Sequence, residues 1–307
     1  MANIKELKTR IKAVKSTKKI TQAMKLVAAS KVRRFQQRVL NSRPYTEKLN
    51  DIVKRAVSAI PQLDKKEIPL MHERDIKSAC LIVISSDRGL CGSYNTNIIK
   101  KTAKRIQELK ELKIEPKLIV IGNKANNFFK RVKVDIIESF THIPQAPTIE
   151  LTNLITTSAE KVFLEKAADK VEIIGTDFIS MIRYSVYIKH FLPIISFEPI
   201  PELEGGVPEP RLQPEHRLLT TPFDVLFEPS LENVLNNLLP LYLSNVILHA
   251  LFEASCSELA SRMNAMSNAT KNAEEIIDLL TIVYNKARQA SITQELTEIV
   301  GGVEALK

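Results

Sequence analysis

Apolar positions recur with helical period at both ends of the chain and with strand period in its middle. From Phe252 onward two series interleave in steps of seven. One runs Phe252, Leu259, Met266, Ala273, Leu280, Ala287; the other runs Cys256, Met263, Thr270, Ile277, Tyr284, Ser291. Only Thr270 and Ser291 depart from the apolar rule, so the spacing predicts a coiled-coil helix. No proline interrupts 241–300, and sixty helical residues would reach about 90 Å. Pro240 is expected to kink this helix or to start it just upstream. Near the N-terminus the stripe reads Ile4, Leu7, Ile11, Val14, then Ile20, Met24, Val27, Ala28, Val32, Phe35, Val39. Strict heptads slip near Thr17 to Thr21, which predicts helical period rather than a uniform supercoil. Neither helix can bury its stripe alone, and the simplest arrangement pairs the two ends of the chain antiparallel.

Between them the period changes. Strands are predicted at "ACLIVISS" (79–86), "KLIVIG" (117–122), "VKVDII" (132–137) and "VEIIG" (171–175). "MIRYSVYIKHFLPIISF" (181–197) supplies one or two more. Helices are expected over 93–113 and 149–168, with a short one before residue 132. This alternation predicts an α/β domain with a largely parallel sheet. Seven prolines in 199–229 mark an irregular connector. The resulting division is an N-terminal coiled-coil helix over 1–60, a central α/β domain over 75–198, the connector over 199–229, and a C-terminal coiled-coil helix over 230–307.

Helix breakers agree with it. The eight glycines stand at 89, 92, 122, 175, 205, 206, 301 and 302, and prolines are absent from 1–43. A chain end normally frays unless something holds it, yet the helical pattern here reaches almost to the final residues.

Charge sharpens the pairing. Residues 1–43 carry eight Lys and five Arg against one Glu, a net of 13 − 1 = +12. Residues 211–307 carry three Lys and four Arg against twelve acids, a net of 7 − 12 = −5. Opposite signs bias the two ends toward each other. The whole 307-residue chain has net charge +9 and 44% hydrophobic residues, a composition that excludes intrinsic disorder and invites an anionic partner. A solvated basic face, a nucleic-acid arm and a helix facing an acidic protein surface all fit the first helix. Aromatics are sparse there, Phe35 and Tyr45 alone before residue 60, which disfavours base stacking.

No apolar run approaches about 20 residues, the length expected of a bilayer-spanning helix. The basic N-terminus lacks the apolar core of a secretory signal, and its helical pattern continues past residue 50 without the break of a mitochondrial presequence. Cys80, Cys91 and Cys256 form no CxxC pair, which fits a reducing compartment. Five scattered histidines form no ligand pair, so no metal is expected.

"SSDRGLCGSYN" (85–95) sits where a strand turns into a helix, a place where phosphates often bind. GxGxxG is absent, and "IGNK" (121–124) is not a Walker loop. Asp87 and Arg88 are instead read as capping a helix and pairing locally. Cys91 has no nearby histidine to activate it.

Several motifs resemble the gamma subunit of the rotary F-type ATP synthase. They are "KITQAMKLVAASKVRR" (19–34), "SDRGLCGSYN" (86–95), "FDVLFEP" (223–229), "SELASRMNAMSNATKNA" (257–273) and "YNKARQASITQELTEIVGG" (284–302). Ser93 stands where glycine is common in the second. The resemblance implies the α/β fold class: a long antiparallel coiled coil of the terminal helices plus a central, Rossmann-like α/β domain.

It also implies a role, that of a non-catalytic central-stalk rotor without a cofactor. The paired helices would run up the bore of a ring of alternating alpha and beta subunits. The α/β domain would sit at the foot with the epsilon subunit, on the c-subunit ring of Fo. By the resemblance Met24 and Lys25 face an acidic loop of beta, and Arg262 lies near Met24. Arg288, Gln289 and Thr293 meet the loops gripping the upper shaft; Phe227 and Glu228 lie toward the foot. No nucleic acid is implied, and membrane contact comes only through the complex. The cysteine-bearing regulatory insert of chloroplast members has no counterpart, implying no thiol control. The expected location is the inner face of a bacterial plasma membrane, with the matrix face of the mitochondrial inner membrane as the alternative. The alternative function is a coiled-coil nucleic-acid-binding protein using the basic helix as an arm.

Overall fold

The structure is a computed structural model describing residues 4–58, 68–144, 146–194, 228 and 230–304, the side chains of Arg43, Ser58, Val303 and Glu304 excepted. Most of the connector expected over 199–229, Phe227 included, lies outside the described residues.

Among the described residues eleven elements follow in chain order. Helix α1 (Ile4–Ser58) is followed by a short 3-10 turn at Pro69–Met71, then β1 (Ser78–Ile84), α2 (Tyr94–Glu111), β2 (Glu115–Ile121) and α3 (Asn123–Val132). After these come β3 (Asp135–Phe140), α4 (Ile149–Leu164), β4 (Lys170–Phe178), β5 (Tyr184–Leu192) and α5 (Leu231–Glu304). The chain divides into two compact units. One holds 1–30 with 262–307, the other 31–261.

The larger unit is built on a five-stranded sheet of order β3-β2-β1-β4-β5. Four strands are parallel, with Ile82 opposite Ile119 of β2 and Ile173 of β4. Strand β5 is antiparallel to β4, so 181–197 yields one strand among the described residues, reversed in direction. A short turn at 179–183, closed by Ser180 N donating to Arg183 O, leaves no room for a crossover helix. The strand expected at 132–137 lies at 135–140 instead, because α3 extends to Val132 and Lys133 closes it in a left-handed conformation.

Continuous apolar runs in β1, β2 and β4 are buried on both faces, as parallel strands between helices require. On one face Tyr94, Ile98, Ile106 and Leu109 of α2 and Phe129 of α3 pack on Leu81, Val83 and Val120. On the other, α4 supplies Ile155, Val162 and Phe163. Beside them lie Leu239, Leu243, Ile247 and Leu251 of α5 and Leu49 and Val53 of α1.

That packing resolves a point the sequence left hidden. Helix α5 is long and apolar enough, with a mean hydropathy of 1.3 over eighteen residues, to cross a membrane by length and composition alone. Its lower part meets that criterion as a core element against the sheet. Pro240 does not begin the helix, which starts at Leu231 and carries the proline inside it. Its start is capped by Ser230, whose Oγ accepts from Asn233 N at 3.2 Å.

In the smaller unit the two helices run antiparallel: Lys18 Nζ lies 2.8 Å from Glu274 Oε1, and Thr21 Oγ1 lies 2.8 Å from Thr270 Oγ1. The α5 series reads as expected. Beyond Glu274 its shielded positions are Ile277, Leu280, Tyr284, Ala287 and Ser291, and the residues between them are exposed.

The α1 seam corrects the expected slip. Positions 4, 7, 11, 14, 18, 21, 25 and 28 are all buried or half-buried, and the same 3-4 spacing continues to Ala56. Lys18, Thr21 and Lys25 occupy the seam, while Ile20 and Val27 are more than half exposed. Lysine can hold such a position because its stem packs while its ammonium reaches an acid at the rim, here Glu274.

Candidate functional site

Two surfaces carry the residues singled out in the sequence: the coiled-coil pair of the smaller unit and the β1–α2 turn of the larger. In the pair, Met24, Lys25 and Arg262 are half-buried. With Thr21 opposite Thr270, the antiparallel register brings Arg262 level with Ala29, about one and a half turns from Met24. Arg288, Gln289 and Thr293 are exposed on α5. The Thr293 hydroxyl donates to Gln289 O at 2.9 Å, a bond within the helix that leaves its lone pairs outward. Ile292, Leu296, Ile299 and Val300 are exposed on the same segment. Gly301 and Gly302 remain helical, with open space where a Cβ would stand. Glu228 is exposed just ahead of α5, whose first turn is capped by Ser230.

The 85–95 turn is closed by its own groups. Asp87 accepts backbone N–H bonds from Asn123 at 2.9 Å, His142 at 3.2 Å and Ile143 at 2.7 Å. One carboxylate thereby ties the carboxyl ends of β1, β2 and β3 together. It caps α3, occupying the first amide of that helix, where a phosphate would otherwise bind. The local-capping reading of Asp87 is right, with α3 rather than α2 as the helix capped. Gly122 lets the strands approach this turn: it sits at φ 94°, and a Cβ there would collide with the Ser85 carbonyl. Cys91 is buried, and its Sγ accepts from Asn95 Nδ2 at 3.1 Å. Burial pushes the Cys80 thiol up to about 12 and raises that of Cys256 further still. Thiols so shifted are poor nucleophiles at neutral pH.

Sequence reasoning missed what covers the turn. In open α/β sheets ligands enter the crevice at the carboxyl ends of the strands, where strand order reverses. Here that point lies between β1 and β4, and α5 lies across it. Ser261 Oγ donates to Cys91 O at 2.6 Å, Tyr94 Oη donates to Ala254 O at 3.1 Å, and Glu253 Oε2 accepts from Phe178 N at 2.8 Å. The crevice that serves nucleotides in other folds of this class seats a helix of the same chain. No sequence signal marked this seat: Glu253 is 75 residues from Phe178, and its burial at 3% exposure appears only in the folded chain.

Comparison with known proteins agrees along the whole chain. A family model described as ATP synthase matches residues 3–306. The ATP synthase gamma chain of Trichormus variabilis is 42% identical over 319 residues, covering all of both chains. That of Prochlorococcus marinus is 43% identical over 314 residues, covering 98% of this chain and 99% of its own. Among solved structures, the fold is similar to a chain of the Euglena gracilis mitochondrial ATP synthase assembly of OSCP, F1 and c-ring. There the TM-score is 0.64 at 20% identity, covering 99% of this chain and 94% of that one. It is also similar to a chain of the Tetrahymena thermophila mitochondrial ATP synthase central stalk and c-ring, with TM-score 0.57 at 25% identity, covering 81% and 99%. With relatives this similar across their full length, the chain belongs to the ATP synthase gamma chain family.

Proposed function

We propose that this chain is the central rotor of a membrane-associated F-type ATP synthase, coupling ion-driven turning of a c-subunit ring to ATP synthesis at beta subunits. The observation that carries the reading is the α5 surface beyond Glu274. Outside its five seam positions every residue to Val300 is exposed, Ile276, Leu279, Ile282 and Val283 among them. Apolar side chains at this density on a helix need a sheath, and a ring of alpha and beta subunits supplies one. Catalysis stays with the ring, because the chain's α/β crevice is filled by α5. The epsilon subunit and the c ring are the partners of the foot, with Phe227 and Glu228 toward it. Met24 and Lys25 face an acidic loop of beta, Arg262 is a partner-contact residue lower on α5, and Arg288, Gln289 and Thr293 meet the loops at the upper shaft. The complex lies at the inner face of a bacterial plasma membrane or its organellar equivalent, and the chain touches the membrane only through it.

Coupling of this kind is reciprocal: shaft angle biases nucleotide affinity, and occupancy biases angle. Co-expression with alpha and beta subunits tests it. The expected result is a stoichiometric complex whose ATP hydrolysis drives proton uptake into vesicles when the membrane sector is added. Failure to co-purify, together with submicromolar DNA or RNA binding that weakens steeply with salt, would favour the basic coiled-coil nucleic-acid protein instead.

A further inference from the structure

The three bonds across the β1/β4 crevice have a geometry that packing alone would not need. Apolar contact between helix and sheet is non-directional, so it resists separation well and sliding poorly. Hydrogen bonds are directional and lose strength quickly when a donor swings off axis. Glu253, Ala254 and Ser261 span eight residues of α5, about 12 Å along its axis and about 100° around it. A set spread in both senses opposes translation along the helix and rotation about it.

The anchor points are stiff. Phe178 N belongs to the last residue of β4, and Cys91 O to a turn fixed by Asn95 and Ser86. Tyr94 is 1% exposed, packs against Tyr184 with ring centroids 5.6 Å apart, and lies 3.5 Å from Thr176 Oγ1. Two of the bonds end on main-chain atoms of the domain, and the third ends on a main-chain carbonyl of α5. Side-chain rearrangement in the partner therefore cannot relieve them.

We infer that Glu253, Tyr94 and Ser261 are positioning residues that form a torque clamp, fixing the angle of α5 in the domain's ligand crevice. The inference rests on the rotor reading. A rotor driven at its foot and loaded at its shaft delivers work only through the junction between them, and a compliant junction would store rotation as twist. The clamp sits where the end of β4, the β1–α2 turn and α5 meet.

The test uses the assembled complex, fixed by its ring, with a bead attached through Ile182→Cys on the exposed β4–β5 turn. Ile182 is 86% exposed and the native cysteines are buried. During the pauses between steps the ring holds the shaft, so the angular spread of the bead reports the stiffness below. Glu253→Ala with Tyr94→Phe should widen the variance, since it removes two of the hydrogen bonds that cross the crevice. Glu253→Gln, which keeps a carbonyl acceptor for Phe178 N, should restore most of the stiffness. If Glu253→Ala does not assemble, Tyr94→Phe with Ser261→Ala removes only two hydroxyls and carries the same expectation. Unchanged variance in assembled variants overturns the clamp. A wild-type complex whose bead does not rotate with ATP overturns the rotor reading itself.

Discussion

Thr21 Oγ1 lies 2.8 Å from Thr270 Oγ1, a polar contact set inside the seam of an antiparallel coiled coil. Each hydroxyl also reaches its own helix, Thr21 to Lys18 O at 3.0 Å and Thr270 to Met266 O at 2.8 Å. Three acceptor contacts thus share two hydrogens, and one hydroxyl must turn from its carbonyl to bridge the seam. The bridge is made only when the two threonines are level. An apolar layer would tolerate slippage by a heptad; this one resists it.

Thr21→Val and Thr270→Val measure the bridge. Each alone should cost about 1 kcal/mol, and together they should show a coupling of about 0.5–1 kcal/mol. The double variant should lose about 1–1.5 kcal/mol, less than the sum of the two single losses, while giving cysteine crosslinks in more than one register. A single crosslink register in the double variant would mean that other layers set the alignment.

How much of this was legible depended on which physical rule governed each position. The α5 heptads are apolar at all but Thr270 and Ser291 and could be read directly. The α1 seam passes through Lys18, Thr21 and Lys25, residues that a hydrophobicity count skips, with Ile20 and Val27 beside them as decoys. Carrying the spacing of Ile4, Leu7, Ile11 and Val14 forward by sevens would have found the true seam. Strand β5 has no local sign of its direction, because that depends on the two strands meeting across a tight turn. The clamp was invisible for the same reason: Glu253 and Phe178 are 75 residues apart, and only the folded chain makes them neighbours. Legibility ended where contacts stopped being periodic.

Asp87 gives the second prediction. Its carboxylate takes three backbone N–H groups, whereas an asparagine offers one acceptor oxygen and turns an NH2 toward the remaining donors. Asp87→Asn should destabilise the α/β domain by about 2–3 kcal/mol. Urea unfolding followed by circular dichroism checks this, and a loss below half of that would show that water replaces the missing acceptor.

Glu172 makes the domain acid-sensitive. It is buried in β4, and burial alone would raise its pKa. The Arg105 bonds at 2.7 and 2.8 Å and Lys170 at 2.7 Å more than offset that, holding the carboxyl below the usual glutamate range. A folded pKa below the unfolded one gives stability that is fully present above the unfolded value of about 4.3 and is lost as pH falls through the folded value. Glu172→Gln should therefore flatten the decline of stability below about pH 4. Arg105→Met leaves the buried carboxylate with Lys170 as its remaining cation and should cost about 3 kcal/mol at neutral pH. Equal slopes for wild type and Glu172→Gln in acid denaturation would assign the sensitivity to other carboxylates.

The last prediction concerns Arg288 and Gln289. Both side chains are exposed on α5, one turn before the apolar cluster of Ile292, Leu296 and Ile299. Arginine presents a planar fork of donors and glutamine both donor and acceptor, a set suited to carboxylates and main chain on an enclosing loop. Apolar neighbours give a sheath something to slide on, while the polar pair gives it something to catch. A catch couples angle to chemistry only if it is stronger at some shaft angles than at others. Arg288→Ala with Gln289→Ala should therefore lower ATP turnover by more than it lowers assembly. A charged interfacial bond left unpaired costs about 2–5 kcal/mol, so the change in turnover should exceed tenfold if one such bond forms at the step that limits rate. The measurement is ATP hydrolysis and proton pumping by purified complex, normalised to subunit content. Wild-type values for both in the double variant would leave Ile292, Leu296 and Ile299 as the functional surface of this segment, with Arg288 and Gln289 as solvated neighbours.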